Sequence, residues 1–195
     1  MTSKQEQLDI LNKYWEENCE CELRKTATQA VFGNGNAKSE IVFIGEAPGK
    51  NEDKEGIPFV GAAGKFLNEM LLSIGKKRED IYITNIVKYR PPNNRDPELK
   101  EKEDCNEWLI NELKIISPKL IVFLGRHSMT RFFPKEKISD IHGKLLIKTT
   151  QEFGEQAFLP LYHPAAALYN GGMRETLVKD FKKIPKALEK IDQTK

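Results

Sequence analysis

Ile41-Val42-Phe43-Ile44-Gly45-Glu46-Ala47-Pro48-Gly49 is the stretch on which the fold turns. Four apolar residues run without a polar alternate, as in a strand buried on both faces, and glycine and proline then stop the run. Similar runs recur at Ile81-Tyr-Ile-Thr84, Leu120-Ile-Val-Phe-Leu124 and Phe158-Leu-Pro-Leu161. Segments of helical period lie between them. Phe66, Leu67, Met70, Leu71 and Ile74 share one face of a helix expected from about residue 63 to about 74. Further helices are expected from about 98 to 116, about 126 to 133, and from about 174 onward, with an irregular region around Lys144–Thr149. Helices in these places are the crossovers that parallel strands require. The predicted architecture is α/β: a three-layer sandwich with a central, mainly parallel sheet.

Upstream, Leu8, Leu11 and Trp15 recur at helical spacing before the polar Gly33-Asn34-Gly35-Asn36. Residues 1–36 read as a helical arm on a single domain spanning 1–195, since this length suits one core and is short for two. The net charge of +2 permits contact with a polyanion without specifying one. Met1-Thr-Ser-Lys-Gln-Glu-Gln lacks the apolar centre of a signal peptide, and no apolar run approaches the ~20 residues of a membrane span. A cytoplasmic protein without membrane contact is expected. Three cysteines are an odd number for a reducing compartment, which argues against a disulfide framework and leaves metal binding or plain burial.

In an open parallel sheet, ligands bind beyond the carboxyl ends of the strands. After the first run come Gly45-Glu-Ala-Pro-Gly49, Glu52, Asp53 and Pro58-Phe59-Val60-Gly61. After the second come Asn85 and Lys88-Tyr-Arg-Pro-Pro-Asn-Asn-Arg95, and after the fourth His163-Pro164-Ala-Ala-Ala-Leu168. A carboxylate, an aromatic ring, an amide and an imidazole thus face one crevice from separate segments. Gly45 to Lys50 is one residue short of a phosphate-binding loop, has no Ser or Thr after the lysine, and carries Glu46 where an anion would sit. Nucleotide hydrolysis is therefore discounted.

Gly-Glu-Ala-Pro-Gly-x-x-Glu-Asp at 45–53, Gly-x-Pro-Phe-Val-Gly at 56–61, Tyr-Ile-Thr-Asn-Ile-Val-Lys at 82–88, Arg-Pro-Pro-x-Asn-Arg-Asp-Pro at 90–97 and Tyr-His-Pro-Ala at 162–165 occur in that order. Together, over roughly residues 19 to 181, the chain resembles the family 4 uracil-DNA glycosylases. The resemblance implies hydrolysis of the N-glycosidic bond of a flipped-out uracil in DNA and a place in base-excision repair; a monomer is expected. It implies catalytic roles for Glu46 in orienting water, Asn85 in reading the base, and His163 in donating to uracil O2. Gly45, Ala47, Glu52, Asp53 and Phe59 are expected to shape the base pocket. Phe59 would stack on uracil, Glu52 would exclude the methyl group of thymine, and Asp53 is a second candidate for the water. Lys88, Arg90 and Arg95 are expected beside DNA phosphates, with Leu168 and Tyr169 filling the gap left in the base stack. Lys179, Lys182, Lys183, Lys186 and Lys190, mixed with Asp180 and Glu189, read as an exposed helix face.

Members of this family usually hold a four-iron, four-sulfur cluster on four cysteines, beginning with a Cys-x-x-Cys pair. Here Cys19 and Cys21 are one residue closer, Tyr89 stands at the third position, and Cys105 matches the fourth. A phenol substitutes poorly for a thiolate. No metal or cofactor is therefore expected, with packing by Tyr89, Trp108 and the arm in its place. The alternative is an iron–sulfur cluster on Cys19, Cys21, Cys105 and a non-cysteine ligand. The competing functional reading is a non-catalytic nucleic-acid-binding protein that recognises damaged bases.

Overall fold

The computed structural model describes residues 2–194. The strands are β1 (Asn34–Gly35), β2 (Ile41–Gly45), β3 (Tyr82–Asn85), β4 (Leu120–Leu124), β5 (Leu146–Thr150) and β6 (Gly154–Leu161). They form one sheet in the order β1-β3-β2-β4-β6-β5, parallel through β3, β2, β4 and β6 and antiparallel at both edges. The helices are α1 (Lys4–Asn18), α2 (Lys50–Glu55), α3 (Ala62–Leu72), α4 (Leu99–Ile116), α5 (Arg126–Thr130), α6 (Ile138–Ile141), α7 (Ala166–Tyr169), α8 (Gly172–Phe181) and α9 (Ile184–Thr194).

The unalternating runs become strands buried throughout in β2, β3 and β4, because helices cover both faces. Val42, Ile44, Tyr82, Ile121 and Phe123 pack on one face with Leu8 of α1 and Leu109 and Leu113 of α4. Ile41, Phe43, Ile83, Leu120 and Val122 pack on the other with Phe66, Leu67 and Met70 of α3, Phe181 of α8 and Ile184 of α9. The expected three-layer α/β architecture is thus present.

Four local expectations are corrected. The stretch at 144–149 is largely β5, an exposed edge strand whose one-sided pairing with β6 asks for little hydrophobic patterning. The closing helix is two helices: α8 ends at Phe181, and Pro185, second in α9, suits the first turn of a new helix because its missing N–H would have no partner there. The α-helix expected to reach about residue 133 stops at Thr130. The arm is not an appendage, since α1 packs on α4 and β1 pairs with β3.

From β2 the chain passes to β3 on one side, and from β4 it passes on to β5 and β6 on the other. The crevice beyond β2 and β4 is therefore the topological switch point where such sheets bind ligands.

Candidate active site

A cavity of about 460 Å³ opens at that end of the sheet, ample for a small-molecule site. Glu46, Ala47, Glu52, Phe59, Asn85, Arg95, His163 and Tyr169 line it, so segments far apart in the chain do converge. Gly45 lies behind the wall. A Cβ there would overlap Asn85 Oδ1 and come within 2.6 Å of Phe59 Cζ, so a bare backbone at this point lets the ring and the amide approach each other.

Phe59 sits in the left-handed region, with φ of 56°, a conformation costing an aromatic residue on the order of 1–3 kcal/mol. Its surroundings impose it. Arg78 donates to the carbonyls of Phe59 at 2.8 Å and Pro58 at 2.6 Å, and any Cβ on Gly64 would collide with the Phe59 carbonyl. The ring is thereby held 5.6 Å from that of His163.

Asn85 ends β3, opposite Gly45 in the register. Its side chain is buried and Oδ1 has no hydrogen-bond partner, an uncommon state for a buried amide and one that a ligand donor would relieve. His163, just past β6, has a defined tautomer. The backbone N–H of Ala165 donates to Nδ1 at 3.1 Å, so the proton of the neutral ring resides on Nε2. Burial, helped by His127, pushes its pKa down to about 4, and the ring is a neutral donor at pH 7.

Glu46 Oε1 is likewise buried without a partner. Burial and then the nearby Asp96 charge push this carboxyl up to about 7, against the opposing pull of Lys102 and Arg126. Glu52 is fixed differently. Its Oε1 accepts from the backbone N–H groups of Val60 at 2.9 Å and Gly61 at 2.8 Å. Oε2 lies 2.7 Å from where a Cβ on Gly49 would be, so the carboxylate fills the space a side chain at 49 would take.

Two expected site residues are elsewhere. Lys88 is fully buried and does not face the cavity. Its ammonium donates to Glu112 at 2.8 Å, to the Asn85 carbonyl at 2.9 Å and to Thr84 Oγ1, and lies 4.5 Å from the centre of the Trp108 ring. A lysine whose protons are all used inside the core cannot meet a phosphate, and it braces the end of β3 instead. Asp53 is buried on the far side of α2, where its two oxygens accept from Thr28 N and Thr28 Oγ1 at 2.8 Å each, pinning the segment after α1. Asp180, expected on an exposed face, turns inward to His142 Nδ1 and, at 2.7 Å, to Lys183.

Around the mouth, Arg90 donates to Asn94 Oδ1 at 2.7 Å, and Arg95 spans both oxygens of Glu101 at 2.8 and 2.6 Å. Leu168 and Tyr169 stand out on α7, Tyr169 with 90% of its surface exposed. Sequence reading overlooks His127 and Asp96, which sit against Glu46 with His127 Nε2 3.6 Å from Glu46 Oε1. The strand-end rule applied to Gly125-Arg126-His127, after β4, is the signal that points to His127.

Cys19, Cys21 and Cys105 are buried where the arm meets α4. Cys21 and Cys105 are each the main influence on the other's thiol, which pushes Cys21 down and Cys105 up, and Cys19 Sγ accepts from Cys21 N at 3.4 Å. Tyr89 is buried close by, its hydroxyl pushed up to about 12 mainly by burial. Trp108 of α4 stacks on Trp15 at 5.2 Å and meets the edge of Phe32 at 4.8 Å.

Residues 32–191 match the family model described as "Uracil DNA glycosylase superfamily". The chain is 50% identical to a "Type-4 uracil-DNA glycosylase" of Sulfurisphaera tokodaii over 91% of its own length and 84% of that protein's. It is 51% identical to one from Archaeoglobus fulgidus over 84% of each chain. It is 36% identical to one from Thermotoga maritima over 97% of this chain and 99% of that one. On these matches, together with a cavity that gathers an amide, an imidazole, a carboxylate and an aromatic face at the switch point of the sheet, the chain belongs to the uracil DNA glycosylase superfamily.

Proposed function

We infer that this chain is a uracil-DNA glycosylase: it takes a uracil flipped from DNA and hydrolyses its bond to the sugar, leaving an abasic site for base-excision repair. The observation that carries this reading is the pairing of the unpartnered Asn85 amide oxygen with the neutral His163 ring in one cavity. Uracil offers an N3–H donor to the first and an O2 acceptor to the second. Phe59 supplies a face for stacking, worth about 1–3 kcal/mol per base in single-strand binders. The Glu52 carboxylate, filling the space beside Gly49, is our candidate for the barrier to thymine.

In the reaction, water oxygen bonds to the sugar C1′ as the bond from C1′ to N1 breaks. That bond's electron pair leaves with uracil, and the water proton passes to Glu46. A neutral N–H donor at O2 gains strength as charge builds on the departing base, the kind of contact that lowers the barrier. Arg90, Arg95, Leu168 and Tyr169 are proposed as DNA contacts, the cations to phosphates and α7 to the emptied stack. We further propose a single-domain monomer acting in the cytoplasm; among the described residues no helix is long and apolar enough to cross a membrane.

The donor set beside the arm does not fit a four-iron cluster. Three thiols are one short of the four such a cluster takes, and the remaining place holds a phenol that burial keeps protonated well above neutral pH. We propose that aromatic packing of Trp15, Phe32, Tyr89 and Trp108 does there what a cluster would do.

The test is single-turnover release of free uracil from a labelled oligonucleotide, with and without excess chelator. Release unaffected by chelator is expected. Binding of uracil-containing DNA without release would instead favour the non-catalytic reading, and about four irons per purified chain would overturn the clusterless one.

A further inference from the structure

At the switch point between β2 and β4, one imidazole nitrogen faces three charged groups. His127 Nε2 lies 3.6 Å from Glu46 Oε1, 3.2 Å from Asp96 Oδ2 and 3.0 Å from Arg126 Nε. Glu46 Oε1 is buried and makes no hydrogen bond, and among the described residues His127 is the basic side chain within 4.0 Å of it. We propose that His127 is a positioning residue for the hydrolysis, which presents an Nε2 proton to Glu46 and so holds that carboxylate ionised and turned toward the water.

The proposal rests on the role given to Glu46 under the proposed function. Its physical basis is that one nitrogen serves two alternative proton arrangements. With the ring proton on Nδ1, as in this structure, the one lone pair of Nε2 accepts from Arg126 at 3.0 Å and the ring offers the Glu46 carboxylate no donor. With the proton on Nε2, the ring donates toward Asp96 and Glu46, and Arg126 turns to Asp96 Oδ2, 3.4 Å away. The second arrangement favours the ionised Glu46 that can orient water and accept its proton. Burial and Asp96 push Glu46 up to about 7, while burial holds His127 below the usual imidazole value. Lys102 and Arg126 favour the ionised carboxylate from outside, and His163, across the cavity, stays neutral. A carboxyl poised so close to neutrality is one whose state a single donor decides. The Arg126 N–H aimed at the imidazole nitrogen marks the cluster as a proton-sharing one rather than a cation site.

The experiment is the pH profile of single-turnover uracil release by wild type, four single variants and one double variant, each first matched to wild type in far-UV circular dichroism. His127→Leu keeps the ring's bulk over Glu46 but removes the N–H, so its acid limb should move up by about one pH unit, a drop of up to about tenfold just below pH 7. His127→Gln restores an N–H and should bring the limb back toward wild type. Asp96→Asn, at an exposed position, removes a like charge and should move the limb down. Glu46→Gln should be slow with a flat profile in this range, and adding His127→Leu to it should change nothing further. An unshifted limb in His127→Leu, or Gln as defective as Leu, would overturn the proposal while leaving the glycosylase reading intact. A Glu46→Gln variant with the wild-type rate would overturn the role of Glu46 and this proposal with it. A wild type that releases no uracil would overturn the glycosylase reading itself.

Discussion

Lys88 and Glu46 are both ionisable side chains withdrawn from water at the ends of neighbouring strands, and the protein treats them in opposite ways. The Lys88 ammonium, the Glu112 carboxylate and the hydroxyls between them are all answered, although the Trp108 indole N–H nearby is not. Glu112 accepts from Lys88, from Thr84 Oγ1 and from the Tyr82 hydroxyl, the last two at 2.9 Å, and Lys88 in turn grips the Asn85 carbonyl. At the cavity, Glu46 Oε1 and Asn85 Oδ1 are buried and unanswered. Leaving such groups unpaired costs about 1–3 kcal/mol each. The fold satisfies a buried lysine on one side of Asn85 and leaves the amide oxygen open to a ligand on the other.

The largest effect is expected at the satisfied end. Lys88→Met would strand the Glu112 carboxylate in the core, and removing one partner of a buried pair costs about 3–5 kcal/mol. Urea denaturation at pH 7 should register that loss, and Lys88→Met combined with Glu112→Leu should recover part of it. A single variant as stable as wild type would show that the pair is not the brace described here.

At the unanswered end the losses should appear in rate. His163→Ala removes the neutral Nε2 donor, and loss of one such donor slows the chemical step by roughly 10²–10³, about 2.7–4 kcal/mol. Single-turnover kinetics should show this with DNA binding little changed. Asn85→Ala should reduce uracil release by at least about 10² and narrow the gap between uracil and cytosine, because pockets built on such hydrogen bonds discriminate through them. Near-normal uracil release by the folded variant would mean that another group reads the base.

The smallest effect is in pH. If Glu46 must be ionised to orient water, the wild-type single-turnover rate should rise with pH and level off above about 7, the value to which burial and Asp96 push this carboxyl. His163 gains a charge only near pH 4, well below this limb. A rate flat from about pH 5 to 8 would remove Glu46 from that role.

Much of this was legible in the chain. Unalternating apolar runs such as Ile41–Ile44 specify strands covered on both faces, and the residues following them mark the crevice, because topology confines ligands to strand ends. Asn85, His163, Phe59 and Glu46 were reachable by that rule and by motif. The edge strand β5 was not, since an exposed strand needs little patterning, and neither was the break before Pro185 within a helix-like stretch.

The parallel α/β plan and the set of chemical groups at its carboxyl edge follow from the chain alone, through local apolar patterning and the residues that end each strand. Which partners each group meets there depends on packing between distant segments. Lys88 and Asp53 stand inside motifs that suggest ligand contact, yet packing turned them toward Glu112 and Thr28, partners 24 and 25 residues distant along the chain. His127 carried no motif and was carried to Glu46 by strand order alone. Residue type states what a side chain can donate or accept, whereas the neighbours that take up that capacity, and the burial that shifts its charge, exist only once distant segments have packed.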